Sequence, residues 1–164
     1  MADSFKQQLK ELRDQVDSMV DAILGCSKEE LNCTLEMDFE GKTFKTDLRS
    51  AVRYTIEEYR VHEGQIGGNQ FVTEMVRAER SEGVINAVTP YDRKEAAWLA
   101  AELYVAAAGL IARCIGYPDN LVDEKPKEGE WSIREIVDHM LHMERSGEWS
   151  IEFFVNKARD KVGR

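Results

Sequence analysis

The chain has 164 residues, of which 43% are hydrophobic and 32% are charged. This length suffices for one domain with a hydrophobic core but not for two, so a single domain over residues 1–164 is predicted. The formal net charge of −9 gives a surface that repels phosphate backbones and anionic membranes. Neither nucleic acid nor a membrane is therefore expected as a partner.

The cysteines and the first residues bear on the cellular compartment. Cys26, Cys33 and Cys114 are odd in number and form no Cys-x-x-Cys, which is typical of reduced thiols rather than of a disulfide framework. The stretch M-A-D-S-F-K-Q-Q-L-K has charges too early for a signal peptide. A cytoplasmic protein is expected.

The first third of the chain predicts a long helix, a short helical turn and an extended segment. Over residues 3–24, apolar side chains recur every three or four positions and form one stripe: Phe5, Leu9, Leu12, Val16, Met19 and Ile23. Gly25 ends this helix, and Ser27-Lys-Glu-Glu30 is a capping box for a short helical turn. The alternation from Leu35 to Phe39, followed by Glu40-Gly41-Lys42, predicts either a small hairpin or an extended connection.

A second long helix is predicted to begin near Thr46 or Asp47 and to be interrupted at Gly67-Gly68. Its stripe contains Leu48, Val52, Thr55, Tyr59, His62 and Ile66. Residues 69–82 can resume as a helix, and residues 83–88 are predicted to form a loop or a brief strand.

A third helix is predicted to open at Thr89-Pro90 and to run to about Cys114, where Gly116-Tyr-Pro118 stops it. It is apolar around much of its circumference, which favours a centrally packed helix over a membrane span. Ser132-Ile-Arg-Glu135 is a capping box that opens the last helix, with Trp131 and Ile136 as a hydrophobic staple and a break at Gly147. Four long helices predict an all-α fold, an antiparallel four-helix bundle with short extra helices.

Two of the three histidines occupy the apolar side of their helices. His62 lies inside the stripe of the second helix, with Glu58 one turn earlier, and His139 lies at the edge of the apolar arc of the last helix. His142 falls on the opposite face and is expected at the surface. Glu58, His62 and His139 could therefore meet across a helix interface. Two imidazoles and a carboxylate suit zinc, nickel or ferrous iron, and such an ion would lower the pKa of a water or thiol.

Spacing alone leaves a second interpretation open, in which His62 is a core histidine that hydrogen-bonds a polar neighbour such as Glu58. A ferritin-like di-iron centre is disfavoured, because no histidine follows a glutamate at the Glu-x-x-His spacing. Cys114, at the end of an apolar helix, is expected to be a buried apolar residue rather than a nucleophile.

Trp131, Ser132, Glu135 and His139 match the pattern Trp-Ser-x-x-Glu-x-x-x-His, which resembles a helix of the DinB/YfiT-like superfamily. In that family the last histidine is a metal ligand, and His-x-x-x-His followed by Gly-Gln-Ile supplies the other two. The segment E-Y-R-V-H-E-G-Q-I is similar, with His62 at the second of these positions and Glu58 at the first. The two segments come in the opposite order here, and Glu58 replaces a histidine.

The resemblance implies a four-helix bundle, often a homodimer, that holds a divalent metal between its helices. It further implies an enzyme that uses the metal to activate a thiol or water for S-transfer or hydrolysis of a small-molecule substrate. Tyr54 and Tyr59 are candidate hydroxyls for orienting that substrate. The alternative is a non-catalytic bundle with a degenerate metal site, which serves for dimerisation or small-ligand binding.

Overall fold

The computed structural model describes residues 4–39, 42–67, 93–145 and 150–163. These residues form six helices and a two-stranded sheet: α1 Phe5–Leu24, α2 Lys28–Asn32, β1 Leu35–Phe39, β2 Lys42–Thr46, α3 Leu48–Ile66, α4 Arg93–Cys114, α5 Ile133–Arg145 and α6 Ile151–Val162. The chain is thus mostly helical, as predicted. The predictions for residues 68–92 and for the break at Gly147 lie outside the described residues.

The N-terminal helix and turn follow the predicted signals. The hydroxyl of Ser4 caps α1 by accepting a hydrogen bond from the backbone N–H of Gln7, and all six residues of the predicted stripe are buried. Gly25 ends the helix, and its N–H donates to the carbonyl of Asp21. The capping box of α2 is formed, since Ser27 and Glu30 each accept a hydrogen bond from the other's backbone N–H.

The extended segment is a hairpin, which decides between the two predicted alternatives. Strands β1 and β2 are antiparallel, with Leu35 opposite Thr46 and Phe39 opposite Lys42. Leu35 and Met37 turn into the core. Lys157 and Lys161 of α6 donate hydrogen bonds to backbone carbonyls of Glu36 and Thr34, so α6 is held against β1.

Asp47 caps α3, the helix that carries Glu58 and His62. Its Oδ1 accepts the backbone N–H of Ser50 at 2.8 Å, and its Oδ2 lies 2.6 Å from a guanidinium nitrogen of Arg49. The Arg49 side chain is buried, so this ion pair is shielded from solvent. One carboxylate therefore satisfies the end of the helix and a buried cation together.

We expect Asp47→Ala to lower the free energy of unfolding by about 2 kcal/mol, because it removes both the helix cap and the ion pair with Arg49. Asp47→Asn is the matched control, since it keeps a capping oxygen but loses the charge, and about half the loss is expected. Urea unfolding of the three proteins measures both effects. An equal loss in the two variants would show that the cap contributes nothing.

The core of the described residues is shared, since buried apolar side chains come from all six helices and from β1. Helix α4 packs against α3 and α1, α5 packs against α1 and α3, and α6 packs against α1, α2 and α3. Gly109 of α4 leaves room for the side chain of Glu63 on α3, since a Cβ there would lie 2.6 Å from a carboxylate oxygen of Glu63 and the carboxylate would have to move. The site described below lies where α3 faces α5.

Helix α4 is buried on one face, not around most of its circumference as the composition predicted. The buried face contains Ala96, Leu99, Ala100, Leu103, Ala106, Ala107, Leu110, Ile111 and Cys114. On the other face Trp98, Tyr104 and Val105 are exposed. Within the described residues, Ala96–Cys114 is the one helical segment long and apolar enough to cross a membrane, a property that core helices of soluble proteins share.

Candidate metal centre

The structure brings the three predicted ligands together between α3 and α5. Oε2 of Glu58 lies 3.4 Å from Nε2 of His62 and 3.7 Å from Nε2 of His139. One ligand atom from each of the three residues can be chosen so that all lie within 4.8 Å of one another. Ligand atoms that share one tetrahedral zinc ion lie about 3.3 Å apart, so the separations of 3.4 and 3.7 Å are of the size that a metal requires.

Glu58 and His62 lie one turn apart in the C-terminal half of α3. Both side chains are buried, with residue exposures of 6% and 4%, because their shared face turns toward α5. His139 is less enclosed, with 32% of its side chain exposed. The group is therefore buried at Glu58 and His62 and partly exposed at His139.

A capping box positions His139. The hydroxyl of Ser132 accepts the backbone N–H of Glu135 at 3.2 Å, and the Glu135 carboxylate accepts the N–H of Ser132 at 2.7 Å. The salt bridge to Lys125 is the main reason that the pKa of Glu135 is lowered, which keeps the cap ionised. Ser132 and Glu135 of the predicted motif thus fix the start of the helix that presents His139.

Trp131, the residue before this cap, covers the two imidazoles. Its ring stacks on His62 with 5.4 Å between centroids and 18° between planes, and it meets His139 edge-on at 4.8 Å. The residue remains 43% exposed, so its other side faces solvent. The hydrophobic staple between Trp131 and Ile136 stays a prediction, and the ring contacts add that Trp131 forms a wall of the candidate centre.

His62 has different partners at its two ring nitrogens. Nδ1 lies 2.6 Å from the side-chain oxygen of Gln65. Nε2 is buried and makes no hydrogen bond within the described residues. A buried nitrogen without a hydrogen bond costs free energy unless something else binds it. This atom is one of those that face Glu58 and His139, and the chemistry of the three donors therefore fits a divalent cation.

The remaining candidate residues lie away from the three ligands or are closed to solvent. His142 is exposed, as predicted. Tyr54 is exposed on α3, one turn before Glu58. Tyr59 is completely buried, and burial followed by the charge of Glu144 raises its pKa. A hydroxyl in that position has no access to a substrate, which argues against the predicted orienting role of Tyr59.

The cysteines are not suited to act as nucleophiles. All three are free thiols, and Cys26 and Cys114 are buried. Burial raises the pKa of Cys114 to about 12 and also raises that of Cys33, so neither thiol is activated. The prediction that Cys114 is a buried apolar residue is confirmed.

The sequence did not predict the surroundings of three residues that the structure shows to be buried or in contact with the candidate ligands. Gln65 was seen only as part of the Gly-Gln-Ile segment, and Trp131 only as a packing residue. No sequence pattern pointed to Glu144, although its carboxyl is largely buried and its pKa is raised to about 7. For Gln65 a signal was present, since a residue three positions after a helical histidine lies on the same face.

Comparisons of the chain with protein-family models, with curated proteins and with solved structures found no match.

Proposed function

We propose that the chain is a DinB-like four-helix bundle that binds a divalent metal through Glu58, His62 and His139. The observation that carries the proposal is the buried Nε2 of His62, which makes no hydrogen bond to any described residue and lies 3.4 Å from a carboxylate oxygen of Glu58. The ring of neighbours formed by α1, α4, α3 and α5 supports the bundle. The match to the Trp-Ser-x-x-Glu-x-x-x-His pattern supports the family.

The ligand set favours an enzyme over a structural metal site. Structural zinc sites are normally closed by four protein ligands, whereas catalytic sites keep a position open beside three. In the part of the chain that the structure describes, the group has three members, Glu58, His62 and His139, and His139 is partly exposed. A bound zinc, nickel or ferrous ion would act as a Lewis acid. It would lower the pKa of a water or thiol toward neutral pH.

The protein's own residues would bind and orient a small-molecule substrate, for which we propose a thiol in S-transfer or a hydrolysable compound. Glu58 and His62 close the inner side of the centre and exclude water there. Trp131 offers a half-exposed apolar wall against which a substrate could lie. Tyr54 is an exposed hydroxyl on the same helix and remains a candidate for orienting it.

The alternative function is a non-catalytic bundle with a degenerate metal site that dimerises or binds a small ligand. One observation favours it, namely that Trp98, Tyr104 and Val105 of α4 are exposed together. Exposed apolar patches of this kind mark protein contacts. A homodimer is predicted in either case, and the cytoplasmic location also stays a prediction.

Metal content of the untagged protein, measured by mass spectrometry after loading and dialysis, tests the proposal. We expect about one equivalent of zinc, nickel or iron in the wild type and less than about a tenth of that in His139→Ala, because a ligand is lost. His142→Ala is the matched control, since it removes an exposed histidine from the same helix and should retain the metal. Equal and negligible metal in all three proteins would overturn the proposal and leave the non-catalytic alternative.

A further inference from the structure

Gln65 contacts the ring nitrogen of His62 that does not face the other two ligands. Nδ1 of His62 and Oε1 of Gln65 are 2.6 Å apart. Two arrangements can produce this contact. Either the Nδ1–H group donates to the amide oxygen, which leaves Nε2 with a free lone pair, or a rotated amide donates to Nδ1, which places the ring proton on Nε2.

The surroundings of Nε2 decide between these arrangements. An N–H group that faced the carboxylate of Glu58 would form a charge-assisted hydrogen bond of about 2.7–2.9 Å. The observed separation is 3.4 Å, and Nε2 makes no hydrogen bond within the described residues. This separation suits two acceptors that face each other, with space for a cation between them.

We propose that Gln65 is a positioning residue, which holds the proton of His62 on Nδ1 and keeps Nε2 free to bind a divalent cation. The consequence for metal binding rests on the proposed function, but the tautomer itself is a property of the metal-free protein. Metal-bound histidines usually donate their second ring N–H to an outer acceptor, and loss of that acceptor typically lowers metal affinity about 10–100-fold.

The first test is the tautomer of His62 in the full-length, chelator-treated protein, read from two-bond ¹H–¹⁵N correlation spectra of the imidazoles at pH 8. Only three histidines occur in the chain, so His139→Ala and His142→Ala assign the signals. We expect the Nδ1–H form of His62 in the wild type. We expect Gln65→Leu to shift it toward Nε2–H and Gln65→Glu, which is purely an acceptor when ionised, to restore Nδ1–H.

An Nε2–H or doubly protonated His62 in the wild type would overturn the inference, as would a tautomer that Gln65→Leu leaves unchanged. The wild-type spectrum decides the point even if a variant folds poorly. Zinc titration of the same proteins then measures the consequence, expected as about a 10–100-fold weaker binding in Gln65→Leu that Gln65→Glu recovers. An Nδ1–H tautomer in a protein that binds no metal would reject the proposed function and leave the role of Gln65 intact.

Discussion

Glu58→Ala is expected to weaken zinc binding by about 100- to 1000-fold, the largest single effect predicted for the candidate centre. Structural zinc sites bind with about 10–16 kcal/mol in total, so one ligand of three or four accounts for roughly 3–4 kcal/mol. Glu58 is the anionic member of the group, and its oxygen lies within 3.7 Å of both imidazole nitrogens. Competition titration against a chromophoric chelator measures the affinity.

Two further substitutions separate the charge of Glu58 from its shape. Glu58→Gln keeps the shape without the charge, whereas Glu58→Asp keeps the charge on a shorter side chain, and both are expected to fall between the wild type and Glu58→Ala. Glu63→Gln on the same helix is the matched control, because Glu63 pairs with Arg113 outside the three ligands. Glu58→His restores the residue that the family pattern has at this position.

The Glu58 series also distinguishes the rival interpretations. Tighter binding by Glu58→His than by a weakly binding wild type would indicate a degenerate site. If Glu58 and His62 instead form a structural pair, Glu58→Ala and His62→Ala should each lower the melting temperature while metal content stays unchanged. In a genuine metal site, added zinc raises the melting temperature of the wild type and not that of Glu58→Ala.

Glu144→Gln is expected to make the protein more stable at pH 8 by about 2–3 kcal/mol while leaving its stability near pH 4 almost unchanged. Burial raises the pKa of Glu144 from 4.5 to about 7, with a smaller contribution from the charge of Glu152. The folded protein thus retains a proton between pH 4.5 and 7 that the unfolded chain releases. The stability advantage of the protonated carboxyl is present below pH 4.5 and is lost as the pH rises through 7.

Glutamine suits this position because it preserves the contact that joins α5 to α6. Oε2 of Glu144 accepts the backbone N–H of Ile151 at 3.0 Å, and an amide oxygen can accept the same bond. Urea unfolding of the wild type and Glu144→Gln between pH 4 and 8 gives the difference in unfolding free energy at each pH. Glu128→Gln, at an exposed position, controls for the loss of one negative charge. A difference that does not vary with pH would contradict the burial-raised pKa.

The local elements could be predicted because the residues that determine them lie within a few positions of one another. The stripe from Phe5 to Ile23 is the buried face of α1, and Gly25 ends that helix. The capping boxes at Ser27 and Ser132 are formed as predicted, since each needs only residues three positions apart. Where local signals admitted two structures, as at Leu35–Phe39, only packing against α6 and the core showed which one forms.

The candidate centre was predicted in composition but not in its surroundings. Helical periodicity placed Glu58 and His62 on one face and His139 at the edge of another, and the structure brings them together. Periodicity did not reveal the stacking of Trp131 on His62 or the buried carboxyl of Glu144. These depend on how helices rotate and approach one another, which a single helix does not encode.

Within the described residues, the sequence by itself therefore determined which segments are helical, where several of them begin and end, and which three residues could bind a metal. Only the tertiary structure decided that α4 buries one face, that Trp131 covers the two imidazoles, and that Nε2 of His62 has no hydrogen-bond partner among the described residues. The physical reason is the distance along the chain over which each effect acts. Propensity, capping and periodicity act within about one turn of a helix, whereas burial and hydrogen-bond satisfaction depend on neighbours far away in the chain.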